Sequence, residues 1–589
     1  YLRDAAGAQR LAPAPSPGAL TRVRRALAAR IDSAAPVGAG LLRALLLGDR
    51  SAVGTVLWRR LGETGTTHLF VVSGLHVALV AGAVLLLSRL LGRGPDDARV
   101  ASAAFLCALA FGLLSGFGVP VRRALAMLGL LLLARVRLRA TRADALLIRA
   151  AALIVLVDPR AVLDAGFWMS CLAVAALVCA GARSRDTVGI RALFARWFAP
   201  QLAVGLLLLV PLLAAFGWIP LLAPLVNLFL VPIVGLLVLP AGLLALLSAP
   251  LAPAAAQIVL ELLGAGLDAM LRASGDFARV LALRPPGPVL AALAVPLSLL
   301  VLLPAPRRVR AAALLLLACA IVAPVARPRE GDFEVHVLDV GQGLAALVRT
   351  QRRALLFDSG GRFGGSADAG GLVVAPALQA FGLRRLDRVL VSHADTDHAG
   401  GLESLRALVE IGELRGPREL SDTDGPCARP LDWHWDGVRF EVLHPQAATP
   451  AMGRNRSSCV LRVTAADGAV AVLPGDIDRF VERRIAPVVG RTDLMIAPHH
   501  GSRTSSGRAW VRHTRPRIVV FPAGVPSAFG HPHAIVVDRW RAAGACLRTT
   551  GRWGMLSWSS DAPDRIGAWR ARDARWWQWR DSQPEAPCA

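Results

Sequence analysis

The sequence predicts a polytopic α-helical membrane domain followed by an α/β domain. The first observation is a series of apolar runs of membrane-spanning length between Thr67 and Val325. The second is a change after Arg327, where short apolar stretches alternate with Gly-rich turns, as in a domain of mixed strands and helices. The third is a cluster of His and Asp residues at 393–398, directly after an apolar run typical of a buried strand.

The composition agrees with this division. The 589 residues are 54% hydrophobic, which is more apolar than an ordinary soluble enzyme. All 66 residues counted as Lys+Arg are Arg, and we attribute this bias to GC-rich coding rather than to function. The net charge of +24 fits Arg anchors in cytoplasmic loops, and it also fits attraction of a polyanion such as nucleic acid.

The apolar runs predict about ten membrane spans. A short amphipathic segment at 37–47 precedes them and suits a membrane interface better than a span. Two of the runs, 121–134 and 145–157, are short enough to be re-entrant. Prolines in or beside the run at 221–247 predict breaks in a helix, either along a pathway or as kinked packing. The predicted spans lie near 68–88, 100–117, 121–134, 145–157, 166–181, 197–216, 221–247, 255–272, 288–304 and 311–325.

Arg placement predicts the orientation of these spans. The loops at 135–144, 182–196 and 305–310 are rich in Arg and are therefore expected on the cytoplasmic side. Counting spans from these loops places the residues before 67 and after 326 on the opposite, extracytoplasmic side.

The eight cysteines contain no CxxC pair, which argues against a zinc ribbon. Four lie in apolar segments, where a small packing residue is expected. The other four follow Arg327, and their spacing leaves open whether they form a disulfide: Cys427, Cys459, Cys546 and Cys588.

The segment His393-x-Asp395-x-Asp397-His398 contains four metal-capable side chains within six residues. Imidazole and carboxylate together suit divalent metals such as Zn or Mn. The alternative is a surface loop with chance His and Asp. Residues of the same types recur at predicted strand ends, where α/β folds build sites, and this favours a metal site. These residues are Asp339, Asp358, Asp476, His499 and His500.

This set resembles the metallo-β-lactamase fold, an αββα sandwich with a two-metal site between its sheets. The resemblance implies that His393 and Asp395 face one metal, that Asp397 and His398 face the other, and that Asp476 bridges them. Asp397, His398 and Asp476 would be the catalytic residues.

The same resemblance implies a late His ligand, for which His499 and His500 both qualify and His499 is assigned, and a further metal or phosphate contact at His531. Asp395 stands where the family usually has His. The family's middle His has no clear match, and His444 and the segment 455–458 are both candidates. An oxygen-richer site shifts the preferred metal from Zn toward Mn or Mg.

The segment from His68 to His76 opens the first predicted span. Its two His and one Ser are costly in an apolar helix unless they face a cavity. The alternative is hydrogen bonding between helices by Ser73 and close packing at Gly74. Arg123, beside another apolar run, is either an interfacial anchor or part of an anion path.

The segment HLFVVSGLHV is similar to the signature of the competence domain in the ComEC family of DNA-uptake channels. Other segments fit the family in order over residues 36–560, with Trp168 standing where Gln is common. The family's N-terminal OB-like domain is absent, and with Tyr1 as the first residue this predicts a fragment. The matching segments are Leu47–Arg50, Asp158-Pro159, Gly166–Ser170, Asn227–Pro232, LDVGQG, SHADTDHAGG, LPGDID and PHHGS.

This resemblance implies an inner-membrane channel that imports single-stranded DNA during natural transformation. A metal-dependent nuclease domain on the extracytoplasmic side would degrade the other strand with two divalent ions (Mn, Mg or Zn). The implied domains are a linker with an interfacial helix at 1–66, the channel at 67–326 and the metallo-β-lactamase-like domain at 327–589. The channel residues would be His68, Ser73, Gly74, His76 and Arg123.

The implied partners are DNA, double-stranded at the entrance and single-stranded in transit, and membrane lipid. A periplasmic DNA receptor and a cytoplasmic single-strand-binding protein or helicase are also implied. One alternative is a DNA transporter whose metallo-β-lactamase-like domain is inactive and only binds DNA. Another is a membrane-anchored hydrolase of a small phosphoester, which predicts fewer spans than the sequence contains.

Overall fold

The chain contains two compact units, which lie within Gln9–Pro324 and Val325–Ala589. They are seen in a computed structural model, and each is described by itself. The residues that the structure describes are 18–94, 97–137, 142–183, 189–216, 218–275, 280–282, 288–302, 305–321, 327–364, 367–446 and 453–572.

The first unit is helical, with one two-stranded ribbon formed by β1 (Trp218–Pro220) and β2 (Val280–Ala282), which pair antiparallel. Its helices are α1 (Ala19–Ala34), α2 (Ala39–Leu47), α3 (Thr55–Glu63), α4 (Thr67–Phe70), α5 (Gly74–Leu90), α6 (Ala98–Leu114), α7 (Val119–Val136), α8 (Ala143–Val157), α9 (Ala165–Arg183), α10 (Ile190–Phe216), α11 (Ala223–Pro232), α12 (Leu239–Ser248), α13 (Pro253–Gly275), α14 (Pro288–Leu302) and α15 (Arg307–Ile321).

Helices α11 and α12 are continuous through a π-helical turn, Ile233–Val238. The break predicted here from prolines is wrong. Pro232 cannot donate a backbone hydrogen bond and crowds the preceding turn, and the wider π turn that follows it accommodates both effects. Among the described residues, this 26-residue helix and Pro253–Ser274 are long and apolar enough to cross a membrane, judged by length and composition. Six further apolar helices are shorter.

The span predicted at 68–88 is interrupted. Helix α4 ends at Phe70, and α5 begins only at Gly74 with Ser73 as its N-cap. The segments 121–134 and 145–157, for which re-entrant loops were an alternative, lie within the regular helices α7 and α8.

Helix α2 is buried on all sides, so the predicted interfacial position of 37–47 is wrong. Six of its nine residues are buried, and it packs against α1, α4, α12 and α13. A Cβ atom on Gly38 would lie 2.3 Å from the carbonyl oxygen of Gly264, so glycine is required at this close approach. The packing explains why α2 is apolar except at Arg43, which pairs with Asp32 and Asp49.

The second unit contains strands and helices in alternation. Its strands are β3 (Glu334–Val337), β4 (Ala346–Arg349), β5 (Ala354–Phe357), β6 (Arg362–Gly364), β7 (Ala367–Asp368), β8 (Arg385–Leu386), β9 (Arg388–Leu390), β10 (Glu410–Ile411), β11 (Leu414–Gly416), β12 (Gly425–Pro426), β13 (Asp432–Trp435), β14 (Val438–His444), β15 (Val460–Thr464), β16 (Val470–Leu473), β17 (Leu494–Ile496), β18 (Ile518–Phe521), β19 (Cys546–Thr549), β20 (Leu556–Ser559) and β21 (Ile566–Ala568). Its helices are α16 (Ala375–Ala380), α17 (Thr396–Ala399), α18 (Leu402–Leu408), α19 (Arg479–Val489), α20 (Arg508–Thr514), α21 (Ala534–Ala542), α22 (Thr550–Trp553) and α23 (Trp569–Arg572).

Two large sheets form the body of this unit. The first has the order β12-β11-β9-β5-β4-β3-β20-β21, and the second has the order β13-β14-β15-β16-β17-β18-β19. Strands β5 and β9 are parallel with Leu356 opposite Val389, and β17 and β18 are parallel with Met495 opposite Val519. The carboxyl ends of these parallel strands carry the candidate site.

Alternating side chains assemble the layers. On β5, Leu355 and Phe357 belong to the core between the sheets, whereas Leu356 packs in a separate cluster with residues of α16 and α18. On β17, Leu494 faces the same central core, and Met495 packs with residues of α19, α20 and α21. Both sheet faces are buried, which explains the continuous apolar runs. Helices therefore cover both outer faces, and the predicted αββα sandwich is confirmed.

Candidate metal centre

The candidate centre lies at the carboxyl ends of parallel strands from both sheets. The segment from His393 to His398 follows β9, Asp476 follows β16, and His499 and His500 follow β17. Parallel strands place their carboxyl ends at one edge, so loops that are distant in sequence meet there.

Four side chains converge most closely. The Nε2 atom of His398 lies 3.1 Å from Nε2 of His500 and 3.2 Å from Oδ1 of Asp476. The Nε2 atom of His500 lies 3.4 Å from Oδ2 of Asp397 and 3.5 Å from Oδ2 of Asp476. Both imidazoles are buried. Two groups of side chains could each hold a metal ion, and they share His398. One group is His393, His398 and Asp476, and the other is Asp397, His398 and His500.

The hydrogen bonds of the outer nitrogens orient both imidazoles. His398 Nδ1 donates to Oδ2 of Asp358 at 2.7 Å, and His500 Nδ1 donates to the carbonyl oxygen of Pro522 at 2.9 Å. With Nδ1 protonated, the two neutral rings direct the lone pairs of their Nε2 atoms at each other across 3.1 Å. Facing lone pairs repel, so the rings either take up protons and donate them to the carboxylates of Asp476 and Asp397, or they share a metal ion, and these residues therefore fit a divalent metal.

The charges of the centre are strongly coupled. Burial opposes protonation of His398, but the carboxylates of Asp476 and Asp358 raise its pKa well above the usual value. Burial also opposes protonation of His500, yet Asp476 and Asp397 raise its pKa to about 9. Burial opposes ionisation of both carboxyl groups, but His500 and His398 outweigh it. They lower the pKa of Asp397 to about 2, and they lower the pKa of Asp476 well below its usual range. The carboxylates therefore keep their charge and attract cations.

His393 and Asp395 form the less complete side of the centre. His393 is buried, and its Nε2 atom has no hydrogen-bond partner among the described residues. This nitrogen lies 3.6 Å from Oδ2 of Asp395. The other oxygen of Asp395 accepts a hydrogen bond from Arg454 at 3.1 Å. The buried, unpartnered His393 nitrogen fits a metal ligand, whereas Asp395 already has a cationic partner.

The remaining predicted residues lie around this cluster. His499 Nε2 lies 3.6 Å from Oδ2 of Asp476 and 3.4 Å from the Asn455 amide nitrogen, so His499 stands beside the centre while His500 stands within it. The ring of His531 lies 6.2 Å from that of His500. His444 donates to the Arg456 carbonyl oxygen at 2.7 Å, which makes it part of the supporting loop.

Sequence reasoning did not assign three functional groups of the centre: Asp358, the carbonyl of Pro522 and His500 as a ligand in preference to His499. Asp358, His499 and His500 have positive φ angles of 61°, 51° and 54°. Residues other than glycine seldom adopt this backbone conformation, and where they do, it is often at a functional site. In the sequence, only the position of Asp358 at a strand end and the adjacent pair His499-His500 pointed to these groups.

In the helical unit, Ser73 and His76 form a capping box at the start of α5. The Ser73 backbone N–H donates to His76 Nδ1 at 3.0 Å. His76 is buried, and its Nε2 atom has no partner among the described residues. Because Nδ1 accepts a hydrogen bond, the proton lies on Nε2. His76 therefore caps the helix and also presents a buried, unpartnered N–H group.

The other predicted channel residues lie nearby in sequence or on neighbouring helices. His68 lies in α4, and its Nδ1 atom is 3.0 Å from the Gly65 carbonyl oxygen. A Cβ on Gly74 would contact Ala124 of α7 at 3.4 Å. Arg123 is buried and donates to Oδ2 of Asp164 at 2.8 Å.

The comparisons with known proteins follow the same division. The family model described as "Competence protein" matches residues 45–320, and the model described as "Metallo-beta-lactamase superfamily" matches residues 338–515. The two matches together define the class of this protein, a competence protein with a metallo-β-lactamase unit. The second match implies divalent metal binding, consistent with the donor set described above.

Two relatives are similar over most of their length. "Competence protein ComA" of Neisseria gonorrhoeae is 37% identical over 533 residues, which cover 88% of this chain and 74% of that protein. "Recombination protein 2" of Haemophilus influenzae is 27% identical over 569 residues, covering 88% and 71%. This chain belongs to the ComEC family of competence proteins. The family is involved in DNA uptake, and its members are membrane proteins.

Solved structures similar to the chain include two hydrolases. One is Igni18, a metallo hydrolase from Ignicoccus hospitalis, with 15% identity, a TM-score of 0.28, and coverage of 38% of this chain and 98% of that one. The other is a mutant metallo-β-lactamase from Cronobacter sakazakii, with 20% identity, a TM-score of 0.20, and coverage of 24% and 61%.

Proposed function

We propose that the chain is an inner-membrane channel that imports single-stranded DNA, and that its metallo-β-lactamase unit is a nuclease that degrades the other strand. The observation that supports the nuclease most directly is the convergence of His398, His500, Asp397 and Asp476, with two imidazole nitrogens facing each other at 3.1 Å. Such a set of donors has no stable neutral arrangement without a cation.

His398, His500, Asp397 and Asp476 would hold one metal of the site, and His393 with Asp476 would contribute to a second. A bound divalent ion supplies polarisation of the phosphodiester and activation of a water nucleophile. The carboxylate content favours Mn or Mg over Zn. Asp358 and the Pro522 carbonyl would keep both imidazoles in the ligating tautomer, and exposed arginines such as Arg503 would neutralise phosphate charge.

The nuclease proposal is tested with the full chain in detergent, linear DNA, and Mn, Mg, Zn or EDTA. Cleavage is expected with a divalent metal and not with EDTA. Asp397→Ala should reduce the rate at least about 100-fold, because one of few ligands is lost. Asp538→Asn, an exposed change elsewhere in the unit, is the matched control. Cleavage that survives Asp397→Ala would exclude this site as the nuclease.

The surface of the helical unit supports a polytopic membrane position. Large apolar side chains are exposed along its helices, among them Leu90 at 77%, Leu156 at 80% and Leu247 at 75%. A water-soluble monomer seldom exposes apolar surface on this scale. With α11 and α12 counted as one, helices α5 to α15 coincide one by one with the predicted spans.

Buried polar groups support a passage for a charged substrate within this unit. His76 Nε2, Arg123 Nε and Asn227 Oδ1 have no hydrogen-bond partner among the described residues, although all three side chains are buried. Ionisable groups inside a membrane domain are costly unless they line a polar path. Arg123, with its partner Asp164, would contact the phosphates, and His68, Ser73, Gly74 and His76 would shape the path.

The extracytoplasmic position of the metallo-β-lactamase unit has independent support. Cys427 and Cys459 form a disulfide, with their Cα atoms 5.8 Å apart. Structural disulfides persist in oxidising compartments and are rare in the bacterial cytoplasm. The Arg-rich loops 135–144 and 305–310 are expected to be cytoplasmic, and counting spans from them supports the same extracytoplasmic position. A periplasmic DNA receptor and a cytoplasmic single-strand-binding protein or helicase would then act on opposite sides.

A second candidate is a DNA transporter whose metallo-β-lactamase unit is inactive and binds DNA without cleaving it. The ion pair between Asp395 and Arg454 favours it, because it takes one predicted ligand away from the first metal. The experiment above separates the two: DNA binding without cleavage under every metal condition would support the transporter.

A further inference from the structure

Three phenylalanines stand exposed beside the metal centre. Phe363, Phe480 and Phe529 have 49%, 56% and 65% of their surface exposed. The other five phenylalanines among residues 327–364, 367–446 and 453–572 are buried or half-buried. In this described part of the chain, only these three phenylalanines have about half or more of their surface exposed.

Each of the three is tied to a different loop of the centre. Phe480 follows Asp476 by four residues in the turn that begins α19. Phe529 precedes His531 by two residues, and their rings stack with centroids 6.0 Å apart. Phe363 follows Gly361, where a Cβ would lie 3.4 Å from the Cα of Asp397. The exposed rings thus lie in β6, at the start of α19 and in the loop before α21, in the segments that follow β5, β16 and β18.

Arginines accompany these rings. The guanidinium of Arg456 lies 5.5 Å from the centroid of the Phe480 ring. Arg362 and Arg479 directly precede Phe363 and Phe480, and Arg362, Arg454, Arg456, Arg479 and Arg503 are all exposed. Exposed aromatic rings interleaved with cations are the combination that holds unpaired nucleic acid, since bases stack on the rings while the cations follow the phosphates.

We infer that Phe480 and Phe529, together with Phe363, form stacking sites that make the metal centre select unpaired DNA over an intact duplex. The inference rests on the proposed function and specifies its substrate. In a duplex the base faces are already stacked on each other and cannot reach these rings. An unpaired strand has free base faces, and its backbone is flexible enough to bring a phosphate to His398 and His500 while a base lies on a ring.

The test is binding by the full chain in detergent and EDTA, so that no cleavage is required. A labelled single-stranded oligonucleotide and the matching blunt duplex are titrated and followed by fluorescence anisotropy. Phe480→Leu and Phe529→Leu keep apolar bulk and remove the ring, and each should weaken single-strand binding about tenfold, as one base–ring stack does. Duplex binding should change by less than about twofold, and Phe→Trp at either position should preserve single-strand affinity.

Val488→Ala is the matched control, because Val488 lies on the same helix as Phe480 and is 50% exposed. It should leave both affinities unchanged. A 2-aminopurine base in the single strand should lose fluorescence on binding to the unmodified chain and keep it with the leucine variants. Leucine variants that bind the single strand like the unmodified chain, or that lose duplex binding equally, would overturn the inference.

The outcome is separable from that of the nuclease proposal. If the leucine variants lose single-strand binding while no metal supports cleavage, the inference of stacking sites stands and the nuclease proposal fails. If metals support cleavage and the leucine variants bind and cleave single strands normally, the nuclease stands and the inference of stacking sites is wrong.

Discussion

Asp358 belongs to neither candidate ligand group, but it orients the imidazole of His398. It is completely buried and accepts hydrogen bonds from the backbone N–H and hydroxyl of Ser392 as well as from His398 Nδ1. These contacts fix the ring of His398 and keep the proton on Nδ1, so that Nε2 faces the centre. Asp358 is therefore a positioning residue that acts through His398.

Replacing Asp358 with Asn should weaken metal binding about 10- to 100-fold. An amide nitrogen would face His398 Nδ1 as a donor and favour the tautomer with its proton on Nε2, where it blocks the metal. The dissociation constant for Mn is measured by calorimetry on the metal-stripped chain. Asp538→Asn, which changes an exposed carboxylate, should leave it unchanged. An unaltered constant in Asp358→Asn would mean that Asp358 does not orient the ligand.

Metal binding should expel protons from the cluster. Without metal, the pKa of His500 is raised to about 9 and that of His398 lies well above its usual value, so both rings are protonated at neutral pH. A metal must displace the protons on the Nε2 atoms, and its affinity should therefore rise with pH until the pH passes about 9.

Calorimetry in buffers of different ionisation enthalpy measures this release. His500→Ala should lower the number of protons released by about one, whereas His513→Ala, at an exposed position outside the cluster, should not change it. Metal binding with no proton release and no pH dependence would contradict the charge state described here.

The cluster of candidate ligands was largely predictable from sequence, and the arrangement of its individual members was not. The segment from His393 to His398 and Asp476 follow apolar runs, and strand ends converge in any fold of this class. Whether His499 or His500 enters the cluster depends on the left-handed backbone at both residues. Whether Asp395 meets a metal or Arg454 depends on a contact across 59 positions of sequence. Neither property is encoded in local spacing.

At the scale of elements, α5 joins a structural demand and a proposed functional demand in one side chain. His76 takes the place of the Glu or Gln of a capping box, and its free Nε2–H points into a buried region without a partner among the described residues. A cap alone would not require this second nitrogen to be buried.

The two demands separate in variants of His76. His76→Gln retains an acceptor for the Ser73 N–H, so the helix start and protein abundance should be preserved, whereas His76→Ala loses the cap, worth about 1 kcal/mol. If the Nε2–H serves DNA passage, transformation frequency should fall at least about tenfold in His76→Gln at normal abundance in the membrane. Normal transformation by His76→Gln would assign His76 to helix capping only.

Elements were predicted well where local periodicity decides them and poorly where packing does. The strands of the αββα sandwich follow from short apolar runs between turns. Helix α2 was placed at an interface because it is short, yet α12 and α13 surround it. The prolines of 221–247 predicted a break, but the π-helical turn absorbs Pro232 without one. Both errors concern tertiary context, which local sequence does not report.

At the scale of the whole molecule, several independent features agree on one topology. The ribbon of β1 and β2 joins the loops that follow α10 and α13. Two proposed spans, the continuous helix α11–α12 and helix α13, separate these loops, so the proposed topology puts both loops on one side of the membrane. The Arg-rich loops 135–144 and 305–310 fall on the other side in the same count. The disulfide between Cys427 and Cys459 favours an oxidising compartment for the metallo-β-lactamase unit, which agrees with the proposed extracytoplasmic side.

Alkaline phosphatase fusions test this topology, because the enzyme is active only where its own disulfides form. A fusion after residue 330 should be active, and a fusion within the loop at 138–141 should be inactive at equal abundance. After denaturation of the unfused chain in SDS, Cys427 and Cys459 should react with a maleimide reagent only if a reductant has been added, whereas the unpaired Cys107 should react with or without reductant. Activity only from the 138–141 fusion, together with free Cys427 and Cys459, would place the metal centre in the cytoplasm. The proposed degradation of the non-imported strand before passage would then be untenable, since the nuclease would face the imported strand instead.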